Sequence, residues 1–155
     1  MYRQQNQLSY PQPMPTIVLK DYGNQPFVVD INEASKQNEP FRTVLWTGEK
    51  LQVTVMSIAP GEDIGLEVHP ETDQFLRIEE GVGLVQMGPT EHEVNFQEWV
   101  EDDSAIFVPV GTWHNLINTG NVPLKLYAIY APAEHLFGTI HQTKTDDLLS
   151  EMEMK

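Results

Sequence analysis

From about residue 16 to residue 131 the chain alternates short apolar runs with clusters of Gly, Pro, Asn and Asp. The runs read TIVLK, FVVDI, FRTVLWT, LQVTVMSIAP, QFLRIEE, VGLVQM, AIFVP and PLKLYAIYAP. Several alternate with period two. Leu51, Val53 and Val55 fall on one face, and Leu124, Leu126, Ala128 and Tyr130 on another, because successive strand side chains point to opposite sides of a sheet. Runs spaced roughly 8–12 residues apart by turn signals predict an all-β sandwich or barrel. No stretch repeats another, which makes this one barrel and not a duplicated pair.

Two segments break the strand rhythm with helical character. In INEASKQN (31–38), Asn32 is placed to cap a single turn. In TKTDDLLSEMEM (143–154), acids near the start suit a helix N-terminus, and Leu148 and Leu149 form an apolar pair. A short helix outside the barrel is expected there. The stretch GPTEHEVNFQEWVEDD (88–103) reads as a solvated, acidic hairpin excursion. Residues 1–15, with five Gln or Asn and three Pro, read as a flexible arm. The chain divides accordingly into an arm (1–15), one barrel domain (16–142) and a helical tail (143–155).

Composition narrows the chemistry. The chain has 155 residues, no cysteine and a formal charge of −14. Without cysteine there is no disulfide, no thiolate metal site and no thiol nucleophile, which leaves His, Asp, Glu and amides as metal ligands. So acidic a chain is repelled by phosphate backbones and anionic headgroups, so neither nucleic acid nor membrane is expected as a partner. No apolar run approaches the ~18 residues of a membrane span, and the opening MYRQQNQLSYPQP has no apolar signal core. The expected location is the cytoplasm. P-loop, GxGxxG and GxSxG patterns are missing, which sets aside phosphoryl transfer, nicotinamide chemistry and serine hydrolysis by those frameworks.

One stretch carries candidate ligands: in EVHPETDQF (67–75), His69 stands among Glu67, Glu71, Asp73 and Gln74. A second follows forty residues on: PVGTWHNLIN (109–118) sets Pro109, Gly111, His114 and Asn118 in the order P-x-G-x-x-H-x-x-x-N. At ordinary Pro and Gly usage such a match arises by chance in roughly one chain in a thousand. Upstream, Gly61 is followed by five residues, then Glu67-Val68-His69, four residues, Gln74, six residues and Gly81. Together these two motifs resemble those of the cupins, over about residues 50–131. The second motif departs at its opening, where Asp103 stands in place of a glycine. The first departs twice: Glu67 replaces the usual first His, and Gln74 replaces the usual Glu. EVHPETDQFLRIEEG and YAPAEHLFGTIHQTK are similar to the small single-domain bacterial cupins of the mannose-6-phosphate isomerase-like group.

The resemblance implies a jelly-roll β-barrel (double-stranded β-helix) holding one divalent metal ion, Fe, Mn, Ni, Co or Zn. The implied ligands are Glu67, His69, Gln74 and His114. Residues i and i+2 share a strand face, so Glu67 and His69 point together, and Gln74 faces inward with Leu76 and Ile78. Asp73 is the rival to Gln74, but the count of residues to Gly81 favours Gln74. Two histidines and one carboxylate make a set used by non-haem iron sites. The implied functions are a metal-dependent enzyme on a small polar molecule, isomerase-like or dioxygenase-like, or a non-catalytic cupin that binds a sugar-like ligand or serves a structural role. His135 and His141 are candidate acid–base groups over the barrel mouth, while His92 reads as exposed and Arg77 as facing away from the metal. Trp113 is expected to point away from the site, and Trp46 and Trp99 to lie in core or interface. A homodimer is implied as well, paired through edge strands FVVDI and FRTVLWT.

Overall fold

A computed structural model describes residues 16–153; the arm read at 1–15 lies outside the described residues. The strands are β1 (Arg42–Thr47), β2 (Gln52–Ile58), β3 (Asp73–Glu80), β4 (Gly83–Gly88), β5 (Phe96–Val100), β6 (Ala105–Val108), β7 (Trp113–Asn118), β8 (Leu124–Ala131) and β9 (Ile140–His141). Two helices flank them, α1 (Ile31–Gln37) and α2 (Lys144–Glu153). The strands form two antiparallel sheets, one in the order β6-β3-β8-β2-β1-β9 and the other β5-β4-β7. Residues 62–67 extend the smaller sheet beyond β7. Ile64 donates to the Leu116 carbonyl, and Glu67 and His114 exchange backbone hydrogen bonds of 3.0 and 2.9 Å. This is the expected mostly-β jelly roll.

The sheets face each other across one apolar core. Met56, Leu76, Ile78, Leu126 and Ala128 from the larger sheet meet Val85, Val100 and Leu116 from the smaller. The alternation read in PLKLYAIYAP holds, with Leu124, Leu126, Ala128 and Tyr130 all buried in that core. In β2 the face shared by Leu51, Val53 and Val55 is not the barrel side. Gln52, Thr54, Met56 and Ile58 are buried on the barrel side, and Leu51 is exposed. Val55 instead joins Ala34 and Leu45 in a second cluster on the outer face of the sheet, covered by Ile17, Leu19, Phe27 and Val29. The larger sheet is thus buried on both faces near β1 and β2, so period two alone could not say which side was the barrel.

Several expectations change for the same reason. TIVLK and FVVDI are not strands; they lie over the outer face as irregular chain. Asp30, not Asn32, caps α1, its carboxylate accepting from the Glu33 amide at 3.0 Å. The acidic excursion 88–103 contains a strand, β5, which pairs with β4. FRTVLWT is β1, but it is no free edge: β9 and the chain at Thr139 hydrogen-bond along its outer side. Trp99 is 74% exposed on β5, which excludes the core and leaves the interface of the two places expected for it. The missing motif glycine has its backbone all the same, since Asp103 adopts φ 72°, a left-handed conformation that Asp tolerates better than most residues.

The tail is helical as expected, but its attachment is not. Thr143 and Asp146 form a reciprocal cap at its start, at 3.1 and 3.2 Å. Leu148 and Leu149 are exposed, and Asp147 is the one buried residue among those described in α2. Its carboxylate reaches Arg42 inside the barrel. The helix therefore sits over the open end of the barrel.

Candidate metal centre

Glu67 and His69 come from the bridged segment beside β7, and His114 from β7 itself. They are not on a regular strand, contrary to expectation, yet the backbone pairing of Glu67 with His114 still brings the three side chains together. One possible ligand atom from each lies within 4.8 Å of the others. Nε2 of His69 and Nε2 of His114 are each 3.4 Å from Oε1 of Glu67. Both histidines are buried.

The other ring nitrogens are occupied. Nδ1 of His114 lies 2.9 Å from the Thr112 carbonyl, which fixes a donor there and leaves Nε2 as a lone pair. Nδ1 of His69 lies 3.2 Å from the Glu134 carboxylate. Metal-bound histidines are oriented in this way, with the second nitrogen held by a carbonyl or a carboxylate. Nε2 of His69, Nε2 of His114 and Oε1 of Gln74 are all buried without a hydrogen-bond partner. Orphaned buried acceptors are uncommon and costly. The two Nε2 atoms converge on the Glu67 carboxylate, and a donor set of two imidazoles and a carboxylate fits a divalent ion.

Gln74 arrives from the opposite sheet. On β3 it pairs in register with Tyr130 of β8, whose ring lies 5.7 Å from that of His69. Gln74, Leu76 and Ile78 are all buried on the barrel side, as the alternation predicts. Asp73 instead accepts a hydrogen bond from the Val110 amide at the surface, 2.9 Å. Glu71 is exposed, as is His92.

Electrostatics follow from the clustering. Burial would raise the Glu67 carboxyl, but the adjoining His114 and His69 rings and the field of Arg42 hold it well below the usual carboxylate range. Burial disfavours charge on His69, yet Glu134 and Glu67 outweigh it and push the imidazole up to about 9. Burial pushes the Tyr130 phenol up to about 12, against the pull of Arg42. Burial, then the charge of Arg42, pushes His135 down to about 2. Tyr130 is thus a neutral donor and His135 a neutral ring, their centroids 5.1 Å apart.

A cavity of about 370 Å³ opens onto Glu67 and His69, walled by Leu66, Val68, Trp113 and Glu134, with Glu151 of α2 at its rim. Trp113 therefore lines the site, where it was expected to turn away. Of the expected acid–base pair, His135 faces Tyr130, while His141 is bound into a charged group with Asp147 and Arg42, at 3.2 and 3.3 Å. Arg77 pairs with Glu79 and Asp103 outside the barrel. Glu134, Tyr130, Arg42, Asp147 and Glu151 were not singled out as site residues in the sequence. Only Arg42 leaves a visible sign, a charge inside an apolar strand run. No helix of the described residues is long and apolar enough to cross a membrane.

Comparison with known proteins agrees with this architecture. The Cupin domain family matches residues 54–130. The uncharacterized protein YrkC of Bacillus subtilis (strain 168) is 64% identical over 135 residues, covering 87% of this chain and 73% of that protein. The uncharacterized protein L612 of Acanthamoeba polyphaga mimivirus is 39% identical over 118 residues, covering 76% and 72%. The crystal structure of BH2720 from Bacillus halodurans superposes with a TM-score of 0.83 at 60% identity, covering 84% of this chain and 98% of that one.

Proposed function

The chain belongs to the cupin domain family, and from that membership and the triad we propose that it is a divalent-metal enzyme acting on a small polar organic molecule. The observation that supports this most is the pair of buried, unpartnered Nε2 atoms of His69 and His114, each 3.4 Å from Glu67. Glu67, His69 and His114 would hold the ion, with the Gln74 amide oxygen as a neutral fourth ligand. A bound ion supplies Lewis acidity toward a carbonyl or enediol oxygen, as an isomerase needs, or a centre for O₂ chemistry, as a dioxygenase needs.

The chain's own residues would do the rest. Gln74 adds no charge, so Glu67 is the one anionic ligand, and the site favours a substrate oxygen that becomes negative. Tyr130, protonated and without a partner for its hydroxyl, would donate to a substrate oxygen. His135, neutral with an unpartnered Nε2, is placed to accept a proton. Leu66, Val68 and Trp113 would keep water from the reacting end.

Elemental analysis of protein purified without added metal should find about one divalent ion per chain, and His114→Ala should find almost none, since a ligand is lost outright. Undiminished metal in His114→Ala would remove the proposal. We place the protein in the cytoplasm as a homodimer. Exposed Phe96, Trp99 and Phe107 beside the β5 and β6 edges supply the apolar surface for pairing, and a light-scattering mass of one chain would overturn that part.

A further inference from the structure

Arg42 is a cation in the barrel interior, 2% exposed, on the barrel-facing side of β1. Its guanidinium contacts the Asp147 carboxylate, lies 3.3 Å from Nδ1 of His141 and 3.8 Å from Sδ of Met56, and leaves Nε without a partner. A chain of rings runs from it to the candidate metal centre: His141 to His135 at 6.0 Å, His135 to Tyr130 at 5.1 Å, and Tyr130 to His69 at 5.7 Å. Arg42 is therefore joined to the triad through packed rings inside the barrel, and its charge acts on Glu67. A guanidinium is a planar fork suited to carboxylates, and it keeps its charge when buried.

The group that occupies it comes from α2. That helix is held by charge and not by apolar packing. Asp147 is its one buried residue among those described, Leu148, Leu149 and Met152 are exposed, and Lys144 is paired with Asp63. Glu151, one turn beyond Asp147 on the same face, lines the cavity above Glu67. A helix attached through a buried ion pair gains little net stability from the pair, which makes it replaceable by a ligand that supplies the same charge.

We propose that Arg42 is a carboxylate-binding residue for a small organic acid, and that α2 is an internal competitor holding Asp147 in the place of the ligand's carboxylate. Displacing α2 would take Asp147 off the guanidinium and Glu151 out of the cavity at Glu67, and so open the barrel end between them. An acid of a few carbons would then bind its carboxylate at Arg42 and present its other oxygen toward the triad. This narrows the substrate class of the metal enzyme and rests on that assignment only for the reacting end, because carboxylate binding at Arg42 needs no metal.

The test is calorimetric titration of metal-stripped and metal-loaded full-length protein with pyruvate, and with pyruvamide as the uncharged control. Asp147→Asn should bind pyruvate at least about tenfold more tightly than the natural chain, with pyruvamide unchanged, in both forms. The double variant Arg42→Met/Asp147→Leu, which removes the pair together and leaves no buried charge alone, should not bind pyruvate. In the natural chain, pyruvate should speed amide exchange across residues 144–153. If Asp147→Asn does not fold, the exchange result decides. Equal pyruvate affinity in folded Asp147→Asn, pyruvate binding retained in the double variant, or unchanged or slower exchange in α2 would each overturn the proposal. Loss of metal binding with these results intact would overturn the metal reading and leave this one standing.

Discussion

Two polar groups share the inside of this barrel, and they differ in how their partners are supplied. At the triad, Nε2 of His69 and Nε2 of His114 have no hydrogen-bond partner in the chain. At the other group, Arg42, Asp147 and His141 supply one another apart from Nε of Arg42. Leaving a buried polar atom unpaired costs ~1–3 kcal/mol, so two such atoms against one carboxylate indicate that something outside the chain completes them. Completed charges of the second kind indicate an internal occupant. The contrast separates a site built to wait for an ion from one already filled by the protein itself.

The largest effects should come from changing how the triad is completed. Glu134→Gln keeps the shape beside Nδ1 of His69 but removes the charge that orients the ring, and should weaken metal binding by about 10–100-fold. Gln74→Glu should act in the opposite direction, tightening metal binding by about tenfold by adding a second anionic ligand while lowering any turnover that depends on stabilising negative charge. Metal affinity measured by competition with a chelator checks both, alongside turnover on aldoses, ketoses and dicarbonyls with and without O₂. Unchanged affinity in Gln74→Glu would exclude Gln74 as a ligand and reduce the centre to Glu67, His69 and His114.

A smaller effect tests the two groups by pH, in metal-stripped protein. His69 is raised from 6.5 to about 9, so the folded state binds the extra proton. That stabilisation is complete below pH 6.5 and is lost as pH rises toward 9. His135 is lowered from 6.5 to about 2, so its contribution is complete above pH 6.5 and is lost as pH falls toward 2. Glu67, held below the usual carboxylate range, adds to the acid-side loss. His69→Gln should flatten the alkaline side of the stability profile and His135→Phe should lessen the acid side, as read by urea unfolding on either side of pH 6.5. An acid side unaltered in His135→Phe would show that this ring titrates normally.

The smallest effect is far from either group. Asp103→Gly relieves a left-handed backbone at φ 72° and should stabilise the fold by about 0.5–1 kcal/mol, while removing a surface contact with Arg77 of little weight. A loss of stability on thermal unfolding would show that the Asp103 side chain matters more than its backbone.

Much of the frame was legible in the chain. Period-two alternation and turn spacing identified most strands and the barrel, since a strand with a buried face must show that period. Motif spacing pointed to Glu67, His69 and His114, and alternation oriented Gln74, because these relations are local to a strand or a turn. Where both faces of one strand are covered, as at Val55 and Met56, the same rule does not say which side faces the barrel. FVVDI had the composition of a strand but no neighbour to pair with, and composition cannot show a missing neighbour.

What the sequence by itself determined is the barrel, the histidine pair and the carboxylate between them, all carried by short-range spacing. What only the tertiary structure decided is which distant groups meet them. Glu134 comes to stand behind His69, and Asp147 reaches Arg42 from 105 residues away. Such pairings depend on how the sheets close and where α2 comes to rest. Those are set by the sum of many weak contacts across the whole core, and no single segment encodes them.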